Sequence, residues 1–181
     1  MKQTNRRRNP GFTLAELLVS VSIIALISST TVAGFANVLR RARDVKRLAD
    51  MEAIQTALEG YKADHGEYPP NDDNDCAGWD TTSDGLFIPR LVSEGYLDNS
   101  FQDPLNSTGA CAGHGSEGFN YFYYRYPPGL YNCSNNFNNY YVLGIGDLET
   151  TGRPSPVSPG WACSGRDWEA TLEWATGQYE G

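Results

Sequence analysis

Few residues of this 181-residue chain have the types and spacing that chemistry requires, and the first is a lone carboxylate. Glu16 is the only charge between Arg8 and Arg40, near the head of FTLAELLVSVSIIALISSTTVAGFANVL. A carboxylate in apolar surroundings is disfavoured unless a cation or hydrogen-bond donor meets it, so the chemistry open to Glu16 is pairing. Cys76, Cys111, Cys133 and Cys163 form no C-x-x-C pair, which argues against zinc and for two disulfides in an oxidising, extracytoplasmic space. Sequence leaves all three pairings of four cysteines open. Asp72, Asp73, Asn74, Asp75, Asp80 and Asp84 offer the hard oxygens that calcium prefers. Their spacing does not reproduce the D-x-[DN]-x-[DN]-G loop, so a solvated acidic loop is the weightier reading. His65 and His114 lack a serine or cysteine nucleophile in a recognisable turn. The chain is not expected to be an enzyme.

The elements that carry these residues follow from periodicity. Leu17 to Leu39 is 23 residues without a charge, enough as a helix at about 1.5 Å per residue to cover a hydrocarbon core of about 30 Å. It is longer than the apolar core of a secretory signal and is not followed by a small-residue cleavage site. A plain membrane anchor is the simpler alternative, in which Glu16 snorkels to the interface. Four cations precede the run and five follow it, so charge alone does not orient it; the cysteines require the C-terminal side outside. Beyond it, Val45, Leu48, Met51, Ile54, Leu58 and Tyr61 recur at three- and four-residue spacing and predict an apolar stripe packed on a globular part. Gly66, with Pro69-Pro70 behind it, marks the stop. The helix is predicted from about Thr13 to about His65, roughly 80 Å if unbroken, with Ser28 to Thr31 and Gly34 as its weak point.

Charge is split along the chain. Residues 1–47 carry nine Lys/Arg against Glu16 and Asp44, and the remaining 134 residues carry five against 20 Asp/Glu. The acidic C-terminal part would repel phosphates, which argues against nucleic-acid binding. The basic collar Arg40, Arg41, Arg43, Lys46 and Arg47 is expected to meet acidic surfaces of neighbouring copies. FNYFYYRY (119–126) and NYYVLGIGDLE (139–149) suit antiparallel strands. A short helix is expected near LFIPRLVSEGY, and WEATLEW is a candidate for another. The tyrosines of these stretches (Tyr121, Tyr123, Tyr124, Tyr126, Tyr131, Tyr140, Tyr141) could form an adhesive surface, although strand alternation puts about half of them inside.

The stretch RRRNPGFTLAELLVS resembles the class III signal of type IV pilins and pseudopilins. That resemblance implies cleavage between Gly11 and Phe12 by a membrane prepilin peptidase, N-methylation of Phe12, and Glu16 as the fifth mature residue, paired in a filament core with a neighbour's amino terminus. ARDVKRLADMEAIQTALEGYKADHGEYPP resembles the run that follows in bacterial pilins and major pseudopilins. Together the two cover residues 1 to about 70. Many family members have proline at the twenty-second mature position, where this chain has Ala33. Major pseudopilins bind calcium in a loop near the C-terminus, and the loose counterpart here holds Asp147 and Glu149; no other cofactor is expected. The resemblance implies a pilin-like α+β fold: leader 1–11, transmembrane and filament-core helix 12–39, amphipathic helix 40–66, and a disulfide-bonded β-rich head 67–181. It implies a structural subunit of a type IV pilus-like filament, partnered by an inner-membrane assembly platform. Such a subunit is a single-pass inner-membrane precursor with its N-terminus inside, then an extracellular or periplasmic filament. The alternatives are a major-type pseudopilin of a type II secretion system, a minor or tip pilin, or a signal-anchored binding domain. The disulfides and tyrosines lean toward a pilus.

Overall fold

The computed structural model describes residues 11–181 apart from 74–75, 77, 107–117 and 134–137, and residues 29–34 in backbone only. One helix, α1 (Leu14–His65), contributes to both of the compact units, Met1–Leu39 and Arg40–Gly181. It runs through the weak stretch at Ser28 to Gly34 as a single element of 52 residues. Its end is the one the sequence predicts: Gly66, at φ 79°, donates its amide to Lys62 O at 2.8 Å, a left-handed stop that costs glycine nothing.

Among the described residues the first unit buries none of its large apolar side chains. Phe12 is 89% exposed and Leu14 87%, and Leu17, Leu18, Val19, Val21, Ile23, Ile24, Leu26, Ile27, Phe35, Val38 and Leu39 are exposed as well. Among the described residues no helix is long and apolar enough to cross a membrane. The uncharged run Leu17–Leu39 is interrupted in that description by the side chains of residues 29–34.

In the second unit the chain continues through β1 (Asp80–Thr81), α2 (Pro89–Ser93), β2 (Tyr121–Tyr126), β3 (Tyr140–Ile145), β4 (Ala162–Cys163), β5 (Arg166–Asp167) and β6 (Trp174–Tyr179). A four-stranded antiparallel sheet has the order β1-β2-β3-β6, and β4 and β5 make a separate hairpin. The fold is α+β, a long helix packed on a small antiparallel sheet. Met51, Ile54, Leu58 and Tyr61 of α1 pack on one face of the sheet with Tyr121, Tyr123, Tyr141, Leu143 and Ile145. Phe122, Tyr126, Tyr140 and Val142 point the other way, as the two-residue period demands, and pack with Trp168, Leu172, Trp79 and Cys133. Both faces are covered, so every residue of β3 is buried.

Strand β6 is absent from the reading of the sequence, and WEATLEW forms only a short 3-10 turn, Trp168–Ala170, before the chain enters that strand. Two-sided covering also changes the fate of the tyrosines. Tyr121, Tyr123, Tyr126, Tyr140 and Tyr141 are all buried, more than single-face alternation allows. Their hydroxyls have partners inside: Tyr121 donates to Asp50 at 2.7 Å, Tyr123 to Pro69 O at 2.7 Å and Tyr140 to Leu130 O at 3.0 Å. A disulfide joins Cys133 to Cys163, fastening the β4–β5 hairpin over the second core. Cys76 is also disulfide-bonded, and Cys111 lies outside the described residues.

Candidate functional site

The start of α1 is built by two residues that satisfy one another. The Thr13 hydroxyl accepts from Glu16 N at 3.2 Å, while Glu16 Oε2 accepts from Thr13 N at 2.9 Å and Thr13 Oγ1 at 2.8 Å. This is a reciprocal capping box, in which a threonine and a glutamate three residues on share the unsatisfied amides of the first turn. Glu16 therefore closes the helix start within its own chain. The bond between Gly11 and Phe12 precedes the cap in exposed, non-helical chain, with no other group among the described residues within 4 Å of where a Gly11 Cβ would stand. The rest of the leader, residues 1–10, lies outside the described residues.

A second constellation, missed in the sequence, sits where α1 meets the sheet. Arg47 has no exposed surface. It binds Asp103 through two nitrogens, at 2.6 and 3.0 Å, Asp44 at 2.7 Å and Glu149 at 3.1 Å, and lies 4.8 Å over the Phe119 ring. Arg43 grips Glu149 from outside at 2.5 and 2.6 Å. Asp44 also accepts from Thr150 N at 2.9 Å and Thr150 Oγ1 at 2.6 Å. Burial works against the charge on Arg47, but the carboxylates of Asp103, Glu149 and Asp44 outweigh it and hold its pKa above the usual value. The hydrogen bond from Arg43, joined by Arg47, holds Glu149 below the ordinary carboxylate value despite its burial. The signal was present: Asp44, Arg47, Met51, Ile54 and Leu58 fall on one helical face, so the period of the stripe placed Arg47 inside.

This corrects the expectation for the basic collar. Arg43 and Arg47 are consumed by this cluster and Lys46 pairs with Asp50 at 2.5 Å. Arg40, Arg41 and Lys46 are exposed, and of the collar only Arg40 and Arg41 have no ion-pair partner among the described residues.

The residues weighed for calcium are drawn apart. Glu149 faces Arg43 and Arg47, whereas Asp147 binds Arg153 at 2.6 Å. Buried Glu173, rather than Glu149, shares a pocket with Asp147, and accepts from Leu148 N and Thr151 Oγ1, both at 2.7 Å. In the earlier acidic loop Asp72 pairs with Arg90, Asp80 turns inward to accept from Ile88 N at 3.0 Å, and Asp84 accepts from Leu86 N at 2.8 Å. Asn74, Asp75 and His114 lie outside the described residues. Among the described residues no group of three or more His, Cys, Asp or Glu is placed to hold a metal. His65 stacks on Tyr61 with ring centroids 4.0 Å apart and meets Glu94 at 3.0 Å.

Comparison with known proteins bears on the capped helix. Residues 6–32 match the prokaryotic N-terminal methylation motif. The chain is 33% identical over 110 residues to type II secretion system core protein G of Aeromonas hydrophila, covering 55% of this chain and 69% of that protein. The chain belongs to the type IV pilin and pseudopilin family. To core protein G of Escherichia coli K12 it is 28% identical over 122 residues, covering 65% of this chain and 80% of the relative. To a fimbrial protein of Neisseria meningitidis it is 30% identical over 74 residues, 41% of this chain and 42% of that one. No solved structure matches the chain. The chain is thus a pilin-like structural subunit.

Proposed function

We propose that this chain is made as a membrane-anchored precursor, cleaved between Gly11 and Phe12, methylated on Phe12, and polymerised through residues 12–39 into a pilus-like filament. The observation that carries the reading is the methylation motif at residues 6–32, which runs into the start of α1, where the large apolar side chains among the described residues up to Leu39 are exposed. Exposed apolar surface of that extent needs lipid or other copies to cover it, and the two are successive homes for one segment. An inner-membrane peptidase and an assembly platform are the partners the reading requires.

Between filament kinds, a secretion pseudopilus is favoured by coverage: the core protein G relatives align over 80% and 69% of their lengths and the fimbrial protein over 42%. The tyrosines that leaned toward a surface pilus are mostly inside, which removes part of that argument. Calcium at Asp147 and Glu149 would have to displace Arg153 from one and Arg43 and Arg47 from the other, so we assign it no role in assembly.

The capping box shapes the test. Glutamine serves a capping box as glutamate does, so Glu16→Gln removes the charge and keeps the cap. The account expects Gly11→Ala to leave the precursor uncleaved, and Glu16→Gln to be cleaved normally yet excluded from sheared and periplasmic filament fractions. Wild-type filament yield from Glu16→Gln would rule out charge pairing as the assembly device.

A further inference from the structure

The Arg40–Gly181 unit carries ten Lys/Arg against 21 Asp/Glu, and eight of the ten cations are engaged inside it. Arg43, Lys46, Arg47, Arg90, Arg125 and Arg153 are in ion pairs. Lys62 donates to Tyr179 O, and Arg166 lies over the Tyr131 and Trp168 rings. Arg40 and Arg41 are left. Arg41 borders an apolar groove of about 280 Å³ lined by Val45, Leu48, Leu148 and Val157. Val45 is 66% and Val157 56% exposed, and they are two of the five exposed large apolar residues among the described residues of this unit; the others are Leu86, Leu105 and Leu130.

Leu86, 55% exposed, differs from the rest. The exposed carboxylate of Asp84 folds back to accept its amide at 2.8 Å, so an apolar knob and an acid stand side by side, and Asp84 is in no ion pair among the described residues. The knob follows β1, one edge strand of the sheet. The groove's Ser155–Val157 wall lies along the other edge, with Ser155 N bonded to Glu173 O at 2.7 Å and Ser158 Oγ to Ala175 O at 3.3 Å at the start of β6.

We infer that the groove takes the Leu86 knob of a second copy of this chain, with Asp84 of that copy paired to Arg41. The two patches are complementary: a cationic rim on an apolar groove at one sheet edge, an acid-flanked apolar knob at the other. Two different patches on opposite edges make a head-to-tail contact, which repeats without closing when the rotation between copies does not form a ring, and so builds an open filament. The inference rests on the filament reading above and adds the lateral contact between globular units to it.

Charge reversal in the full-length chain tests it, read as filament yield at equal amounts of cleaved protein. Arg41→Glu and Asp84→Arg are each expected to lower yield about tenfold or more, and the double variant to recover to within about twofold of wild type, because like charges are repulsive and the exchanged pair is not. Recovery in the double variant separates a broken contact from misfolding. In a second arm, a chain carrying Leu86→Cys and Val157→Cys should give an oxidised ladder of dimers and higher species, while neither single variant passes the dimer. Single reversals that assemble at wild-type yield, a double variant no better than the singles, or the absence of a ladder would overturn the contact and leave the filament reading standing. A wild-type chain that forms no filament would overturn both.

Discussion

At Arg47 a guanidinium without exposed surface is held by carboxylates from three stretches of chain, Asp44 on α1, Asp103 between α2 and β2, and Glu149 after β3. A buried ion pair contributes little beyond an apolar equivalent, but removing one partner strands the other charges. Arg47→Ala is expected to destabilise the globular unit by about 3–5 kcal/mol, read by urea unfolding of the full chain in detergent; Arg43→Ala, at the cluster's edge, should cost far less. Glu149 gives a pH signature. Its pKa in the folded state lies below the ordinary 4.5, so the unfolded chain binds the proton more readily. The stability it supplies is complete above that value and is lost as pH falls below it through the folded pKa. Glu149→Gln should lower stability at pH 7 and flatten the decline between about pH 5 and 3, measured by thermal melts across that range. The helical stripe carried the signal for burying Arg47 with Asp44 three residues before it, although the reading of the sequence places Arg47 in the collar; Asp103 and Glu149 gave no signal, because pairing between distant segments leaves no local pattern.

Among the elements, α1 shows most plainly in sequence. Its start, apolar period and glycine stop are all local, and local signals are the ones a single sequence carries. The strand β6 shows the opposite case. Its residues Trp174–Tyr179 include Ala175 and Gly177, which are depleted in strands and weaken the signal. Gly177 is there for packing: a Cβ would meet the Trp161 ring and Tyr141 O, each at 2.6 Å. That need comes from β3 and from residue 161, neither of which is adjacent in sequence. The β4–β5 hairpin, which helps to cover the second core, depends on the Cys133–Cys163 disulfide across a separation of 30 residues. Closing a loop of that length restricts the unfolded chain by about 3–4 kcal/mol. Replacing both cysteines with serine should lower the melting midpoint by several degrees under oxidising conditions, and reductant should then no longer change the variant through this bond.

For the whole molecule, the two units divide the work. Arg40–Gly181 buries two apolar clusters of its own, while in the Met1–Leu39 unit the large apolar side chains among the described residues are exposed. Under the proposed function, other copies cover the exposed side chains of the first unit. The account's central claim is that the Gly11–Phe12 bond is cut to free the segment for that use. The most direct test is the N-terminal mass of the protein recovered from its assembled fraction. The account predicts a chain that begins at Phe12, one methyl group heavier than the unmodified residue. A chain that begins at Met1, or a free Phe12 without the methyl group, would contradict it.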